Sequence, residues 1–208
     1  MTVVAHGLIW HLRESQIFIK KDFELIWKPI LVGGIFNTIN PSVYKARNNP
    51  NPVKEKLTYY FKDLKDWADA RKIVINHDGF GPLNSPKVFP VNSVKAMRGS
   101  FMFLDEGGIE NYLNSIFYAY WTDGLDISLE ENLTSIVENL NVDSNKFLNF
   151  IQLQDTKDRL KNNTQELIDK GGFGSPTFFV NEKDMYFGQD RVCLFYTSAA
   201  ADEAGGGG

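Results

Sequence analysis

The sequence predicts an α/β fold in which a small β-sheet is interrupted by a large, all-helical insertion. Short apolar runs typical of strands lie near the N-terminus, at residues 23–27, and near the C-terminus, within residues 177–187. Between them, residues 53–170 read almost entirely as amphipathic helices. Because an isolated hairpin is only marginally stable in water, we expect the C-terminal strands to join the N-terminal strand in one sheet.

Composition and net charge limit the partners and the location that we expect for the protein. The 208 residues carry a net charge of −4, which disfavours nucleic acid and anionic membranes as partners. No apolar run approaches the ~18 residues of a membrane span, and the N-terminus lacks a signal-peptide pattern. We therefore expect a cytoplasmic protein with neither a membrane nor a nucleic-acid partner.

The reactive side chains exclude several kinds of site. Cys193 is the single cysteine, so the chain has no internal disulfide and no dithiol couple for disulfide exchange. The three histidines His6, His11 and His77 are not spaced as metal ligands, and no Ser-His-Asp or Cys-His set can be argued. We expect no metal site.

The N-terminal part alternates short elements and loops. In residues 12–21 the apolar side chains have roughly the spacing of a helix. The strand pattern at 23–27 ends before Pro29. Residues 30–36 contain a Gly-Gly pair, which predicts a loop or a short turn of helix, and residues 40–53 are rich in Pro and Asn, typical of an exposed loop.

The middle of the chain is helical. The clearest helix covers residues 53–72, with its apolar side chains on one face, and a short strand is predicted at 73–75. A loop rich in Gly, Pro and Asn follows at 76–90. Five more helices are predicted at 91–104, 109–121, 129–140, 144–153 and 156–170.

The C-terminal stretch has the layout of a binding site. A glycine-rich loop runs through Ser175 and Pro176 into a hairpin, after which Gln189 and Asp190 stand where a helix can begin. A loop proline entering a strand, in a sheet with such an insertion, is the thioredoxin-like arrangement. We assign residues 1–52 and 171–198 to a thioredoxin-like domain and 53–170 to the insertion. The tail at 199–208 is interpreted as a linker or cloning remnant.

Several separated motifs occur in an order that is specific when they are taken together. They are Trp27-Lys28-Pro29 with Leu31 to Phe36, Lys56 with Tyr59, Asp63-Leu64 and Trp67, Phe89 to Ser93 with Ala96-Met97-Arg98, Gly172 to Thr177, and Gly188 to Arg191. Over about residues 24–191 the chain resembles 2-hydroxychromene-2-carboxylate isomerases and kappa-class glutathione transferases, a DsbA-like branch of the thioredoxin fold.

The resemblance implies a glutathione-dependent activity. Addition of the glutathione thiolate to a small aromatic or conjugated substrate would lead to cis–trans isomerisation, or to transfer of glutathione in a kappa-type reaction. It also implies a homodimer. The alternative is a non-catalytic thioredoxin-like protein that binds glutathione or a peptide.

The resemblance also implies the residues that bind glutathione. It makes the bond before Pro176 cis, so that the backbone of Ser175 pairs with a peptide-like ligand. Gln189 and Asp190 would hold the γ-glutamyl end at a helix N-terminus. Lys56 would lie near the glycine carboxylate, and Asn40 would close the same site. From the residues alone, an ordinary turn, an N-cap and a solvated lysine remain open.

Two residues are candidates for the substrate side of the site. Asn92 and Arg98 lie six positions apart, on nearly opposite sides of a helix. Asn92 is therefore expected to cap that helix. Arg98 suits a substrate carboxylate, because the guanidinium fork matches that group, although a structural salt bridge is an equal alternative.

The catalytic residue is where the sequence departs from the family. A serine at the start of the first helix would favour the glutathione thiolate, and counting back from Trp27 places it at residues 4–7, which read Val-Ala-His-Gly. The first strand also reads as cut short. Three explanations stand: the start is altered and the protein inactive, His6 donates to the sulfur instead, or the chain binds without this chemistry.

Overall fold

The computed structural model describes residues 2–6, 24–42, 53–70, 72–75, 91–188 and 191. These residues form four strands and seven helices. In chain order they are β1 (Thr2–His6), β2 (Glu24–Trp27), α1 (Val32–Ile39), α2 (Lys54–Ala70), α3 (Val94–Asp105), α4 (Ile109–Trp121), α5 (Glu130–Asn139), α6 (Ser144–Gln152), α7 (Gln154–Asp169), β3 (Thr177–Val180) and β4 (Asp184–Phe187).

The four strands form one sheet in the order β2-β1-β3-β4. β1 runs parallel to β2, with Ala5 opposite Trp27, and antiparallel to β3, with His6 opposite Thr177. β3 and β4 form the C-terminal hairpin. The predicted α/β fold with a helical insertion is confirmed. The hairpin shares one sheet with the predicted strand at 23–27, as expected, but it pairs directly with β1, which lies between them.

Three local predictions differ from the structure. β1 has five residues and pairs along both sides, so the first strand is of ordinary length rather than shortened. Residues 73–75 form no strand, because Val74 is largely exposed and its carbonyl accepts a hydrogen bond from Thr122. The segment after β2 is a helix of eight residues, α1, rather than a loop or a single turn.

The chain divides into two compact units. The first comprises residues 1–40 and 163–208, and the second comprises 41–162. In the first unit, the cluster of Ile30, Ile35, Leu167 and Phe179 packs one face of the sheet against α1 and the end of α7. The last residues of α7 therefore share the core of the sheet.

The second unit has its own helical core. Tyr112, Leu133, Phe147 and Ile151 are fully buried there, and the rings of Phe103 and Tyr112 stack with centroids 4.3 Å apart. The Tyr112 hydroxyl donates to the carbonyl of Ala96 at 2.7 Å. Burial raises the pKa of Tyr112 far above its usual value, so the phenol stays protonated and keeps this hydrogen bond.

An ion pair lies at the surface of the second unit. Arg159 donates from two guanidinium nitrogens to the two carboxylate oxygens of Asp105, at 2.6 and 2.8 Å. Its guanidinium also lies 4.4 Å from the centre of the Phe101 ring. The hydrogen bond from Arg159 holds the pKa of Asp105 below its usual value.

The core of the second unit predicts that Gly99→Ala is destabilising. An added Cβ would lie 2.5 Å from the Phe147 ring and 2.5 Å from the Tyr112 hydroxyl. The gain in helix propensity is about 1 kcal/mol, but moving two buried rings costs more. We expect a net loss of about 1–3 kcal/mol in the free energy of unfolding, measured by urea denaturation. Asn111→Ala, at an exposed helix position, is the control, and equal stability of the two variants would contradict this packing.

The surface ion pair predicts a pH-dependent loss in Arg159→Ala. The lowered pKa of Asp105 stabilises the fold above the pKa of an unfolded aspartate, ~3.9, and that contribution is lost as the pH falls through the lower folded value. Because the pair is partly exposed, we expect a loss of roughly 0.5–1 kcal/mol at pH 7 and less at pH 3.

Urea denaturation at both pH values measures this difference, and Lys161→Ala on the exposed surface of the same helix is the control. An equal loss at both pH values would mean that Arg159 stabilises the unit only by packing on Phe101.

Candidate functional site

The glycine-rich loop begins where α7 ends. Gly171 has a φ of +83°, and the N–H groups of Gly171 and Gly172 donate to the carbonyls of Ile168 and Leu167. A Cβ on Gly172 would lie 2.4 Å from the Leu167 side chain and 3.0 Å from its carbonyl oxygen. Glycine is therefore needed at both positions for the chain to turn tightly off the helix.

The loop then reaches Ser175 and Pro176, joined by a cis peptide bond, as the resemblance implied. Ser175 is half-buried and Pro176 is buried. The carbonyl of Pro176 accepts from the N–H of Gly188 at 3.0 Å, and the hydroxyl of Thr177 donates to the carbonyl of Gly174 at 2.7 Å. The start of β3 and the end of β4 thus hold the loop from two directions.

The end of the central strand lies beside this loop. His6, the last residue of β1, is opposite Thr177, and β3 runs in the other direction, so Pro176 lies at the same edge of the sheet. Residues 4–6 belong to β1, so the expectation that they open the first helix is wrong. The side chain of His6 and the next residue, Gly7, lie outside the described part of the structure.

An aromatic pair that the sequence did not predict packs against the loop. The rings of Phe173 and Phe187 lie 4.4 Å apart, and the side chains are 44% and 39% exposed. A Cβ on Gly174 would lie 2.8 Å from the Phe187 ring, so the absence of a side chain lets this ring approach the loop. Phe173 precedes the hairpin and Phe187 ends it, and the hairpin register, with Thr177 opposite Phe187, brings them together.

The other candidate residues are distributed over both units. Asn40 follows α1 in the first unit, and its N–H donates to the carbonyl of Phe36 at 3.2 Å. Lys56 is exposed on α2 in the second unit. Gln189 and Asp190 lie outside the described residues. Of the candidate residues, the structure thus places the backbone of His6 beside the loop that carries Ser175 and Pro176.

The two substrate-side candidates lie at the start of α3 in the second unit. The N-cap residue of α3 is Ser93, whose side chain makes no capping hydrogen bond, rather than Asn92 as expected. The side-chain oxygen of Asn92, one position earlier, accepts from the N–H of Val94 at 3.1 Å and so satisfies a donor of the first turn. Arg98 is half-buried, and its Nε is fully buried without an acceptor among the described residues. A buried donor without a partner is uncommon in folded proteins.

Two kinds of feature are not found in the described part of the chain. Its His, Cys, Asp and Glu side chains form no group of three that could hold a metal ion. None of its helices is long and apolar enough to cross a membrane.

The sequence is similar to known families. Residues 9–198 match the DSBA-like thioredoxin domain. Two relatives are named 2-hydroxychromene-2-carboxylate isomerase: the protein from Pseudomonas sp. (strain C18) is 28% identical over 141 residues, and that from Pseudomonas putida is 30% identical over 144. These matches cover 67% and 68% of this chain but only 60% and 64% of the relatives. They confirm the resemblance to the isomerases.

Solved structures show the same fold. A 2-hydroxychromene-2-carboxylate isomerase superposes with a TM-score of 0.72 at 21% identity, covering 97% of this chain and 95% of that one. DsbA from Pseudomonas aeruginosa superposes with a TM-score of 0.55 at 14% identity, covering 97% of this chain and 85% of its own. At such identities the likeness establishes the thioredoxin fold and no more.

The close approach of Phe187 to the loop predicts a specific coupling between two substitutions. We expect Gly174→Ala to lower the free energy of unfolding by about 1–2 kcal/mol, because its Cβ displaces the Phe187 ring. In Gly174→Ala/Phe187→Ala the clash is gone, so the double variant should lose less than the two single losses together, by at least ~0.5 kcal/mol. Urea denaturation of the four proteins measures this, and strict additivity would contradict the contact.

Proposed function

The chain belongs to the DSBA-like thioredoxin domain family, and from this premise we propose that it is a glutathione-dependent isomerase of the 2-hydroxychromene-2-carboxylate type. The match to two isomerases over 141 and 144 residues carries the proposal. The Ser175–Pro176 loop, beside the end of the central strand, supports it, because a peptide-like ligand can bind along such a loop.

We propose that glutathione is the cofactor. Bound as its thiolate, it would supply a nucleophile that adds reversibly to a conjugated enone and is released unchanged after the double bond has isomerised. The backbone of Ser175, next to Pro176, would orient its peptide portion. Gln189 and Asp190 would hold its charged γ-glutamyl end, whose ammonium and carboxylate groups suit a carboxylate side chain and helix N–H groups. Lys56 and Asn40 are the proposed partners of its glycine end.

Arg98 is the proposed anchor for the substrate. A 2-hydroxychromene-2-carboxylate carries a carboxylate group, and the buried Nε of Arg98 has no acceptor within the described part of the chain. A guanidinium that meets a carboxylate forms short, charge-assisted hydrogen bonds. Asn92 contributes indirectly, by fixing the first turn of α3, the helix that carries Arg98.

Activation of the thiol needs a donor near the end of β1. A free thiol has a pKa of ~8.5, and lowering it by two units takes about 2.7 kcal/mol. The resemblance assigns this role to a serine at the start of the first helix. Between β1 and Phe23, however, Ser15 is the only serine in the sequence. His6, at the end of β1, is the proposed substitute, donating from its imidazole to the sulfur.

A second candidate is a non-catalytic protein that binds glutathione or an extended peptide. The missing serine favours it, and the lone Cys193 leaves no dithiol for disulfide exchange.

A kappa-type glutathione transferase is a further variant of the enzymatic proposal, because it would share the same glutathione-binding step. A cytoplasmic homodimer is proposed for each of these readings.

Glutathione binding tests the site. We expect Asp190→Ala and Lys56→Ala each to raise the dissociation constant of reduced glutathione about tenfold, because each removes one charge pair. Calorimetry measures this constant. Lys65→Ala removes an equal charge on the opposite side of α2 and is the control. Unchanged affinity in both site variants would overturn the assignment.

Turnover separates the two candidates. The wild-type protein should accelerate cis–trans isomerisation of a chromene-type or other conjugated enone only in the presence of glutathione. His6→Ala should lower kcat while leaving the dissociation constant of glutathione within about twofold. Binding without turnover would support the non-catalytic reading instead.

A further inference from the structure

The loop between β2 and α1, residues 28–31, is held by side chains of α7. Asn163 donates from its amide nitrogen to the carbonyl of Pro29 at 3.1 Å. The N–H of Leu31 donates to the hydroxyl of Thr164 at 3.0 Å. Pro29 has no N–H group of its own to fix the loop. These contacts all lie in the first unit, in the last two turns of α7.

The charged side chains reinforce the same attachment. Lys28 donates to both carboxylate oxygens of Glu166, and Lys170 lies 3.0 Å from one of them. Partial burial acts to raise the pKa of Glu166, but the hydrogen bonds from Lys28 and Lys170 outweigh it and lower the pKa. Glu166 is therefore ionised at neutral pH, and its single negative charge lies between two lysines and offsets one of their two positive charges.

The position of α1 depends on this attachment. An isolated helix of eight residues is unstable in water, so α1 needs packing to persist. Leu31, the residue before α1, has no polar side chain to cap it, and Thr164 contacts the helix start instead. A Cβ on Gly34 would lie 3.3 Å from the Thr164 methyl group, which shows how closely α1 lies on α7.

The same two turns of α7 lead into the glycine-rich loop. Gly172 lies against Leu167, and four residues later the chain reaches Pro176. The end of α7 therefore contacts both the helix that precedes Asn40 and the segment that carries Ser175. Resting on the proposed function, we infer that Glu166 and Thr164 are positioning residues: they hold α1 and Asn40 in register with the Ser175–Pro176 loop for glutathione.

The test uses Glu166→Gln in the full chain. The substitution keeps the side-chain size but removes the charge shared by Lys28 and Lys170. Amide hydrogen exchange of residues 31–40 should become at least about tenfold faster, because α1 opens locally more often, while residues 109–121 of the second unit stay unchanged. The dissociation constant of reduced glutathione should rise by roughly 3- to 30-fold. The kcat at saturating glutathione should stay within about twofold of the wild-type value.

Two matched variants sharpen the result. Asp169→Asn removes an exposed carboxylate of the same helix, which accepts from Gln165, and should change neither measurement. Lys28→Met/Glu166→Met replaces the pair by apolar side chains of similar length and should restore both the exchange rate and the affinity to near wild type. Unchanged exchange of residues 109–121 in Glu166→Gln separates local opening of α1 from a general loss of stability.

The outcomes distinguish the two claims. If exchange of residues 31–40 is unchanged in Glu166→Gln, the positioning role is overturned, whatever glutathione does. If exchange rises and affinity for glutathione is unchanged, the link between α1 and the site is overturned. If the wild-type protein binds no glutathione, the proposed function falls, while faster exchange still supports the attachment of α1 to α7.

Discussion

The pairing of β1 with β3 is the constraint on which the rest of the first unit depends. It joins strands from opposite ends of the sequence, with His6 opposite Thr177, and places β1 between β2 and β3. Closing so long a loop costs conformational entropy, although the cost rises only slowly with loop length. The intervening residues include the second unit, which has its own buried core and therefore does not depend on the sheet for all of its stability.

The sheet edge beside Pro176 shows why the glycines of the loop stand where they do. Gly171 adopts a left-handed conformation, Gly172 lies against Leu167, and Gly174 against Phe187. Gly171 is needed for its positive φ, whereas Gly172 and Gly174 each avoid a steric conflict, one at the helix end and one at the end of β4. The composition of the loop therefore follows from one left-handed residue and two close approaches, which together place the Ser175–Pro176 segment.

The candidate site was predictable in its parts. Gly-x-Pro before a β-branched and aromatic run predicted a loop entering a strand, and the family resemblance, rather than the local sequence, implied the cis bond before Pro176. The hydrogen bond of Asn92 to the first turn of α3 followed from its position just before a helix, although the N-cap itself is Ser93. The Phe173–Phe187 pair and the orphan Nε of Arg98 were not predictable, because they depend on hairpin register and on packing that local sequence does not encode. The glutathione contacts remain proposals.

The sequence by itself determined the type and order of most of the elements. The strand pattern at 23–27, the helix periodicity from 53 to 170 and the hairpin signal near the C-terminus each follow from local side-chain spacing, which is physically a short-range property. Only the tertiary structure decided that residues 73–75 stay outside the sheet and that α1 is a full helix. Those outcomes depend on partners far away in the chain, such as Thr122 beside Val74 and Thr164 beside Leu31.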